Sequence, residues 1–223
     1  MVEIKHHEKS VTVACWTPDG QSFVTGSHDL ESPLCLWTLD GRPSYNWTID
    51  YRVQDCAITP NGRRMVVISV EQQISVYDFW TREEEYSIMM KHKMTSVSIS
   101  RDSNYMLINM ANDEVHLIEI ETAEICRRFL GQKQDMFIIR SCFGGADENL
   151  IISGSAGSFP SSTSLSVLLT TDPDSKVYIW HKENGTLIET LEGHLRGCVN
   201  TVAWNPANPC MFASGGDDSK VRM

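Results

Sequence analysis

Long apolar runs are absent from this 223-residue chain. The longest, such as residues 65–68 and 167–169, are far shorter than the roughly 20 residues that a membrane-spanning helix needs. Only residues 1–7 precede the first strand-like segment, which leaves no room for a secretory signal with an apolar centre. The sequence therefore predicts no membrane span and no export. The expected location is the cytoplasm, with the nucleus left open.

Paired cysteines are also missing. The seven cysteines are widely spaced, and none forms a Cys-x-x-Cys pair. Neither a zinc site nor a secreted disulfide framework is therefore indicated. Such cysteines usually pack as small buried apolar side chains, and we expect no metal and no cofactor.

Basic residues are few, since 19 Lys and Arg face 29 Asp and Glu and the formal net charge is −10. Nucleic-acid affinity comes largely from clustered basic side chains, whereas the pairs Arg63-Arg64 and Arg127-Arg128 are isolated. The charge balance argues against a nucleic-acid partner and weakly favours basic partners.

The chain does contain a repeat. The turn Pro18-Asp19-Gly20 recurs 42 residues later as Pro60-Asn61-Gly62, and a weaker copy follows as Arg101-Asp102-Ser103. A third-strand landmark recurs with a similar spacing at Trp37, Tyr77, Ile118 and, after a longer gap, Trp180. The C-terminal segment adds Gly193-His194, Trp204-Asn205-Pro206 and Ser214-Gly215-Gly216-Asp217-Asp218. These motifs, recurring with a period of about 40–45 residues, predict a WD-repeat β-propeller.

Short alternating segments separated by turn residues extend through the whole of residues 1–223. They divide into four full blades of four strands and a partial fifth. We therefore expect an all-β chain that forms an incomplete propeller ring.

A WD blade contains a buried network of a histidine, a Ser or Thr, an Asp and a Trp. The first blade supplies all four groups, the fourth has Gln132 near the histidine position, and the fifth lacks the Trp. The second and third blades lack the network, so packing between neighbouring blades must stabilise them. The predicted network residues are His6, Thr25, Asp29, Trp37, Ser153, Asp174, Trp180, His194, Ser214 and Asp218.

The Ser, His and Asp of such a network can also be interpreted as a hydrolase triad. We disfavour that interpretation because these groups are expected inside a sheet. The chain also has no Gly-x-Ser-x-Gly motif, and Ser153-Gly154-Ser155-Ala156-Gly157, which comes nearest, has serine at the first position. We expect no catalytic residue.

Propellers usually bind partners through the loops that enter the first strand and that join the second strand to the third. The candidates are Tyr51, Arg52, Lys133, Leu195 and Arg196, with Gln54, Asp55, Gln134 and Asp135 beside them. Tyr51 and Arg52 rank first because Tyr and Arg are favoured interface anchors.

Several stretches are more specific than a general WD repeat. They include Ser10 to Trp16, Arg140 to Gly145, Lys176 to Lys182 and Val202 to Pro206. In this order and spacing they resemble the WD-repeat subunit of the CTLH (GID) ubiquitin-ligase complex, and nearly the whole chain matches the C-terminal part of its propeller.

The resemblance implies a non-catalytic scaffold. Such a scaffold recruits or positions partners and substrates, while other subunits transfer ubiquitin for proteasomal degradation. The implied partners are the other subunits of the ligase and its protein substrates. Family members also carry LisH and CTLH helical segments, which this sequence lacks. The alternatives are a WD-repeat scaffold of an unrelated complex and, less favoured, a propeller enzyme.

A Ser-rich insertion, residues 156–172, interrupts the fourth blade. Eighteen residues separate Ser155 from Asp174, whereas the equivalent turns of the first and fifth blades hold one. The insertion is either a functional loop or a retained intron. We favour the intron, because the flanks fit once the segment is removed and the family has no matching insertion. Sequencing of the transcript distinguishes the two.

Overall fold

The computed structural model describes residues 4–134, 137–157, 175–194 and 197–223. Within these ranges the chain forms nineteen β-strands and one short 3-10 helix, Ala146–Glu148. The all-β prediction is confirmed. Over the same ranges, no helix has the length and apolar character needed to cross a membrane.

The described strands form five meanders, in which strands that follow one another in sequence are neighbours in the sheet. The first four sheets have four strands each, and the fifth has three. The first sheet is β1 Val11–Trp16, β2 Ser22–Ser27, β3 Leu34–Thr38 and β4 Pro43–Trp47; the second is β5 Val53–Ile58, β6 Arg64–Ser69, β7 Gln73–Asp78 and β8 Glu84–Met89. The third is β9 Met94–Ile99, β10 Tyr105–Met110, β11 Glu114–Glu119 and β12 Ile125–Leu130; the fourth is β13 Ser141–Gly144, β14 Leu150–Ser153, β15 Lys176–His181 and β16 Leu187–Glu192; the fifth is β17 Val199–Trp204, β18 Phe212–Gly216 and β19 Val221–Arg222.

The chain divides into two compact units. One comprises Met1–Met106 with Ile120–Ala123, and the other comprises Leu107–Glu119 with Glu124–Met223. The first two sheets belong to the former and the last two to the latter. Every site described below lies within one unit.

Burial changes from the inner to the outer strands. In β6 the apolar run Met65 to Ile68 is completely buried, whereas β8 alternates and is largely exposed. Inner strands are covered on both faces because adjacent sheets pack together, and so they are continuously apolar in sequence. One core cluster joins Val24 and Leu36 of the first sheet to Met65 and Val67 of the second. Another joins strands of the fourth and fifth sheets.

The repeated turn has the same construction in the first three sheets. Asp19 Oδ1 accepts hydrogen bonds from Thr17 Oγ1 (2.6 Å) and from the Gln21 N–H (3.0 Å), and Gly20 follows with a φ of 67°. Such side-chain capping and a positive φ define a tight turn. The equivalent residues are Thr59, Asn61 and Gly62, then Ser100, Asp102 and Ser103. Ser103 adopts the same left-handed conformation at 65° without being glycine, which explains why the third copy is weak in sequence.

The predicted insertion falls mostly outside the described residues, since only Ala156 and Gly157 of residues 156–172 are described. Ala156 is buried beside Ile139 and Cys198. Its N–H donates to the Lys133 carbonyl at 2.7 Å. Ala156 therefore belongs to the packed core.

Candidate functional site

A hydrogen-bonded chain of three side chains lies in the first sheet. The Trp37 indole N–H donates to Thr25 Oγ1 at 2.8 Å, and His7 Nε2 lies 2.7 Å from the same oxygen. His7 Nδ1 lies 2.7 Å from the Ser32 carbonyl. Because a carbonyl only accepts, Nδ1 carries the proton of a neutral ring and Nε2 accepts from Thr25. These hydrogen bonds hold the segment before β1, which contains His7, against β2 and β3.

The prediction of His6 in this network is wrong by one residue, since His7 makes the hydrogen bond. The His6 ring instead packs edge to face on Trp37, with centroids 5.1 Å apart. Asp29 caps backbone groups, accepting from the N–H of Glu8 and of Glu31, each at 3.0 Å. Two adjacent histidines fit the sequence motif equally well, and only the path of the segment before β1 distinguishes them.

Acidification is expected to destabilise the first sheet through His7. Burial, helped by His6, lowers the pKa of His7 below 6.5, against the opposing effects of the Ser32 carbonyl and Asp29. The folded state thus favours the neutral ring. The contribution is complete above the unfolded-state pKa near 6.5 and is lost as the pH falls from there through the lowered pKa.

The check compares urea unfolding at pH 7.5 and 5.5 for the natural chain and for His7→Gln. The natural chain should lose more stability on acidification. Equal losses in the two proteins would show that His7 does not titrate in this way.

The fifth sheet holds the most complete network. His194 Nε2 lies 2.9 Å from Ser214 Oγ, and His194 Nδ1 lies 2.9 Å from Asp218 Oδ1. Arg222 Nη1 donates to Asp218 Oδ2 at 2.9 Å. The order Ser–His–Asp matches a hydrolase triad, but Ser214 and His194 are buried. The hydroxyl is therefore covered by the sheet that it stabilises.

In the fourth sheet the two predicted network residues that the structure describes, Ser153 and Trp180, each donate to a backbone carbonyl. The Trp180 indole N–H donates to the Leu130 carbonyl at 3.0 Å, and Ser153 Oγ donates to the Gly154 carbonyl at 3.0 Å. Gln132, near the predicted histidine position, is buried, and both its side-chain polar atoms lack a partner among the described residues. Asp174 lies outside those residues.

Tyr51, predicted to bind a partner, is buried, and that prediction is wrong. Only 5% of its surface is exposed, and its hydroxyl lies 2.7 Å from the Tyr77 hydroxyl. Tyr77 Oη in turn donates to Glu84 Oε2 at 3.4 Å. Burial raises the pKa of both phenols. The second sheet thus has a tyrosine pair in place of the histidine network. Tyr77 occupies the position that Trp37 has in the first repeat, and this substitution could have indicated the pair from the sequence.

The other predicted binding residues differ in exposure. Arg52 Nε pairs with Glu71 Oε1 at 2.7 Å at the surface, and Lys133 Nζ lies 3.5 Å from Asp113 Oδ2. Asp55 and Gln134 are buried, so neither presents a contact surface. Gln54 is half-buried. Asp135, Leu195 and Arg196 lie outside the described residues.

The cysteines are all free, and two of them depart from the expected burial. Cys126 and Cys210 are exposed. Cys15 Sγ and Cys56 Sγ lie 3.5 Å apart on β1 and β5. Thr12 Oγ1 donates to the Val53 carbonyl at 2.9 Å between the same two strands. Both pairs are 41 positions apart in the repeat, which shows that the first two sheets are aligned in the same direction. Over the described ranges, no group of three or more His, Cys, Asp or Glu could hold a metal.

Sequence reasoning missed three exposed apolar side chains, Trp16, Leu39 and Trp80. We call the ends of the two sheets that carry them the Trp16–Trp80 surface. The three side chains are 62%, 56% and 76% exposed. Trp16 ends β1, while Leu39 and Trp80 follow β3 and β7. In an antiparallel meander the first and third strands run in the same direction, so their C-terminal ends lie at the same end of the sheet, and the first two sheets are aligned. The three side chains therefore emerge from the same end of the two sheets. Large exposed aromatic side chains are typical of protein-binding surfaces.

Comparisons with known proteins agree with this architecture. The family described as "WD domain, G-beta repeat" matches residues 1–30 and 185–223. GID complex subunit 7 of Schizosaccharomyces pombe is 38% identical over 224 residues, an alignment that covers 97% of this chain and 40% of that protein. A WD repeat-containing protein 26 homolog of Arabidopsis thaliana is 38% identical over 217 residues, covering 95% of this chain and 33% of that protein.

The homolog of the same name from Drosophila melanogaster is 31% identical over 217 residues, covering 97% of this chain and 31% of that protein. The chain thus spans less than half the length of these relatives.

Proposed function

The chain is a WD-repeat β-propeller protein similar to GID complex subunit 7, and from this premise we propose that it is a non-catalytic scaffold of a GID-type complex. The observation that carries the proposal is 38% identity to that subunit over 97% of the chain. In this proposal the chain positions partners and substrates, while other subunits transfer ubiquitin and commit the substrate to proteasomal degradation. We place this activity in the cytoplasm.

The buried polar residues support a scaffolding role. Ser214 has the histidine and aspartate of a triad, but only 4% of its surface is exposed. A nucleophile must reach the carbonyl that it attacks, and Ser214 instead donates to or accepts from neighbours inside the sheet. The polar groups of the first and fifth sheets thus act by holding strands together.

We assign partner binding to the Trp16–Trp80 surface. Its two tryptophans are large, only slightly buried and set at tight turns; the Trp80 N–H is held by Asp78 Oδ1 at 2.8 Å. Aromatic side chains on a rigid support lose little conformational entropy on binding and are frequent hot spots. In the proposed complex this surface contacts another subunit.

Replacing both Trp16 and Trp80 with alanine is expected to reduce recovery of partner proteins by about tenfold or more, the effect of losing a hot spot of about 2 kcal/mol. The experiment purifies the tagged chain from cells that naturally express it and identifies bound proteins by mass spectrometry. The matched control is Met89→Ala, which removes an equally exposed apolar side chain from β8.

Recovery of RING-bearing and LisH-bearing subunits with the natural chain supports the proposed complex. Recovery of a different stable assembly would replace the GID-type assignment with a WD-repeat scaffold of another complex. Undiminished recovery with the double variant would move the binding surface elsewhere on the chain.

A further inference from the structure

A cavity of about 460 Å³ lies beside the outer strand of the first sheet and the edge of the second. Sites for small ligands and side chains commonly have volumes of about 300–1,000 Å³. Its lining includes Tyr45, Trp47, Asp50, Tyr77, Arg82 and Glu84. All belong to one compact unit.

The aromatic side of this cavity already holds a cation. The Arg82 guanidinium carbon lies 4.4 Å from the ring centroid of Phe79, 5.4 Å from that of Trp47 and 5.6 Å from that of Tyr45. Its Nη1 donates to the Phe79 carbonyl. Aromatic faces attract cations at these distances. The rings thus form a cage suited to a positive group.

The cavity lining also carries negative charge. Asp50 and Glu84 line it and are exposed. The Glu84 carboxylate also accepts a hydrogen bond from the Tyr77 hydroxyl. The lining therefore contains two carboxylates and one guanidinium, and its excess charge is negative. A cationic ligand complements this lining, whereas an anion is repelled.

Trp47 adds an unused donor. Its side chain lines the cavity and is 3% exposed, and its indole N–H has no hydrogen-bond partner among the described residues. A buried N–H without an acceptor is unfavourable. The nitrogen is itself covered, and the Arg82 guanidinium lies over the ring, so a ligand acceptor reaches it only when Arg82 moves aside. A peptide offers both a cationic side chain and a carbonyl oxygen.

We propose that this cavity recognises an arginine or lysine side chain presented by a protein partner. The cationic group lies against Asp50 and Glu84, and a backbone carbonyl of the partner accepts from Trp47 Nε1 once Arg82 has moved off the ring. Arg82, which occupies the aromatic cage, opposes the incoming charge and so limits the affinity. This recognition does not depend on the complex to which the chain belongs.

The test uses the purified chain and synthetic heptapeptides of glycine and serine, blocked at both ends, with one central arginine. Matched peptides carry lysine, neutral citrulline or glutamate at that place. Binding is followed by NMR through the Trp47 indole N–H signal, assigned with Trp47→Phe. The arginine and lysine peptides should move this signal, and citrulline should bind about fivefold more weakly, as expected for the loss of one cationic contact.

Charge variants give opposite expected signs. Glu84→Gln should weaken arginine-peptide binding about fivefold, whereas Arg82→Gln, which removes the competing charge, should strengthen it about threefold. Glu83→Gln and Arg63→Gln make the same charge changes at exposed neighbours outside the cavity lining and should leave affinity nearly unchanged.

Three results would overturn the proposal. They are equal binding of the arginine and citrulline peptides, equal effects of the cavity and neighbouring variants, and preferential binding of the glutamate peptide. Because the assay contains no other subunit, its failure would leave the proposed scaffold function untouched, and failed recovery of the complex would leave the cavity result standing.

Discussion

Trp180→Ala is expected to lower the free energy of unfolding by about 3–5 kcal/mol, the range for removing a large buried aromatic side chain. Trp180 is completely buried. Its ring stacks on Tyr178 and tilts against Phe129, each with centroids 5.8 Å apart. Alanine leaves a cavity between these rings and removes the hydrogen bond to the Leu130 carbonyl. The measurement is equilibrium unfolding in urea, followed by far-ultraviolet circular dichroism.

Two variants separate the causes of that loss. Trp180→Phe keeps much of the ring but removes the N–H that donates to Leu130, and we expect a loss of about 1–2 kcal/mol. Trp80→Ala removes the same side chain from an exposed turn and should change stability by less than about 0.5 kcal/mol. If Trp180→Ala cost no more than Trp80→Ala, the described packing of the fourth sheet would be incorrect.

Asp218→Ala is expected to cost about 3 kcal/mol, since removing one partner of a buried polar network leaves the others unpaired. The side chains of His194 and Asp218 are 1% and 6% exposed. Without the carboxylate, the buried His194 Nδ1 loses its hydrogen bond to Asp218, and the Arg222 guanidinium, 3.3 Å from the same nitrogen, loses its ion pair. The loss is measured as a shift of the urea midpoint at constant slope.

An exposed pair provides the matched comparison. Asp40 pairs with Arg42 at 3.0 Å, but these side chains are 55% and 84% exposed. Water screens such a pair, and its net contribution to folding is small. Asp40→Ala also removes the turn hydrogen bond from Thr38 Oγ1. It should therefore shift the urea midpoint far less than Asp218→Ala does. Similar losses for Asp40→Ala and Asp218→Ala would mean that burial does not govern the fifth-sheet network.

Local features of the fold could be predicted from the sequence. The strand β1 and the turn at Pro18-Asp19-Gly20 depend on alternation and on the side-chain capping of Asp19, which involve residues close in sequence. Long-range partners were harder. His6 and Tyr51 were assigned to the wrong roles, because hydrogen bonds over 18 and 26 residues depend on how the chain passes between sheets.

The candidate binding features depended still more on packing. Trp16 and Trp80 are 64 residues apart in sequence, and they lie at the same end of their sheets only because the first two sheets are aligned. The cavity beside Trp47 likewise needs side chains from two sheets.

The sequence by itself determined the repeat, the all-β strand order and the similarity to GID-type WD-repeat proteins, because these follow from spacing along the chain. Only the tertiary structure decided which histidine is hydrogen-bonded, which tyrosine is buried and where Arg82 meets its aromatic cage. Those outcomes depend on burial and on distances between separate sheets, and the linear order of the residues does not contain either.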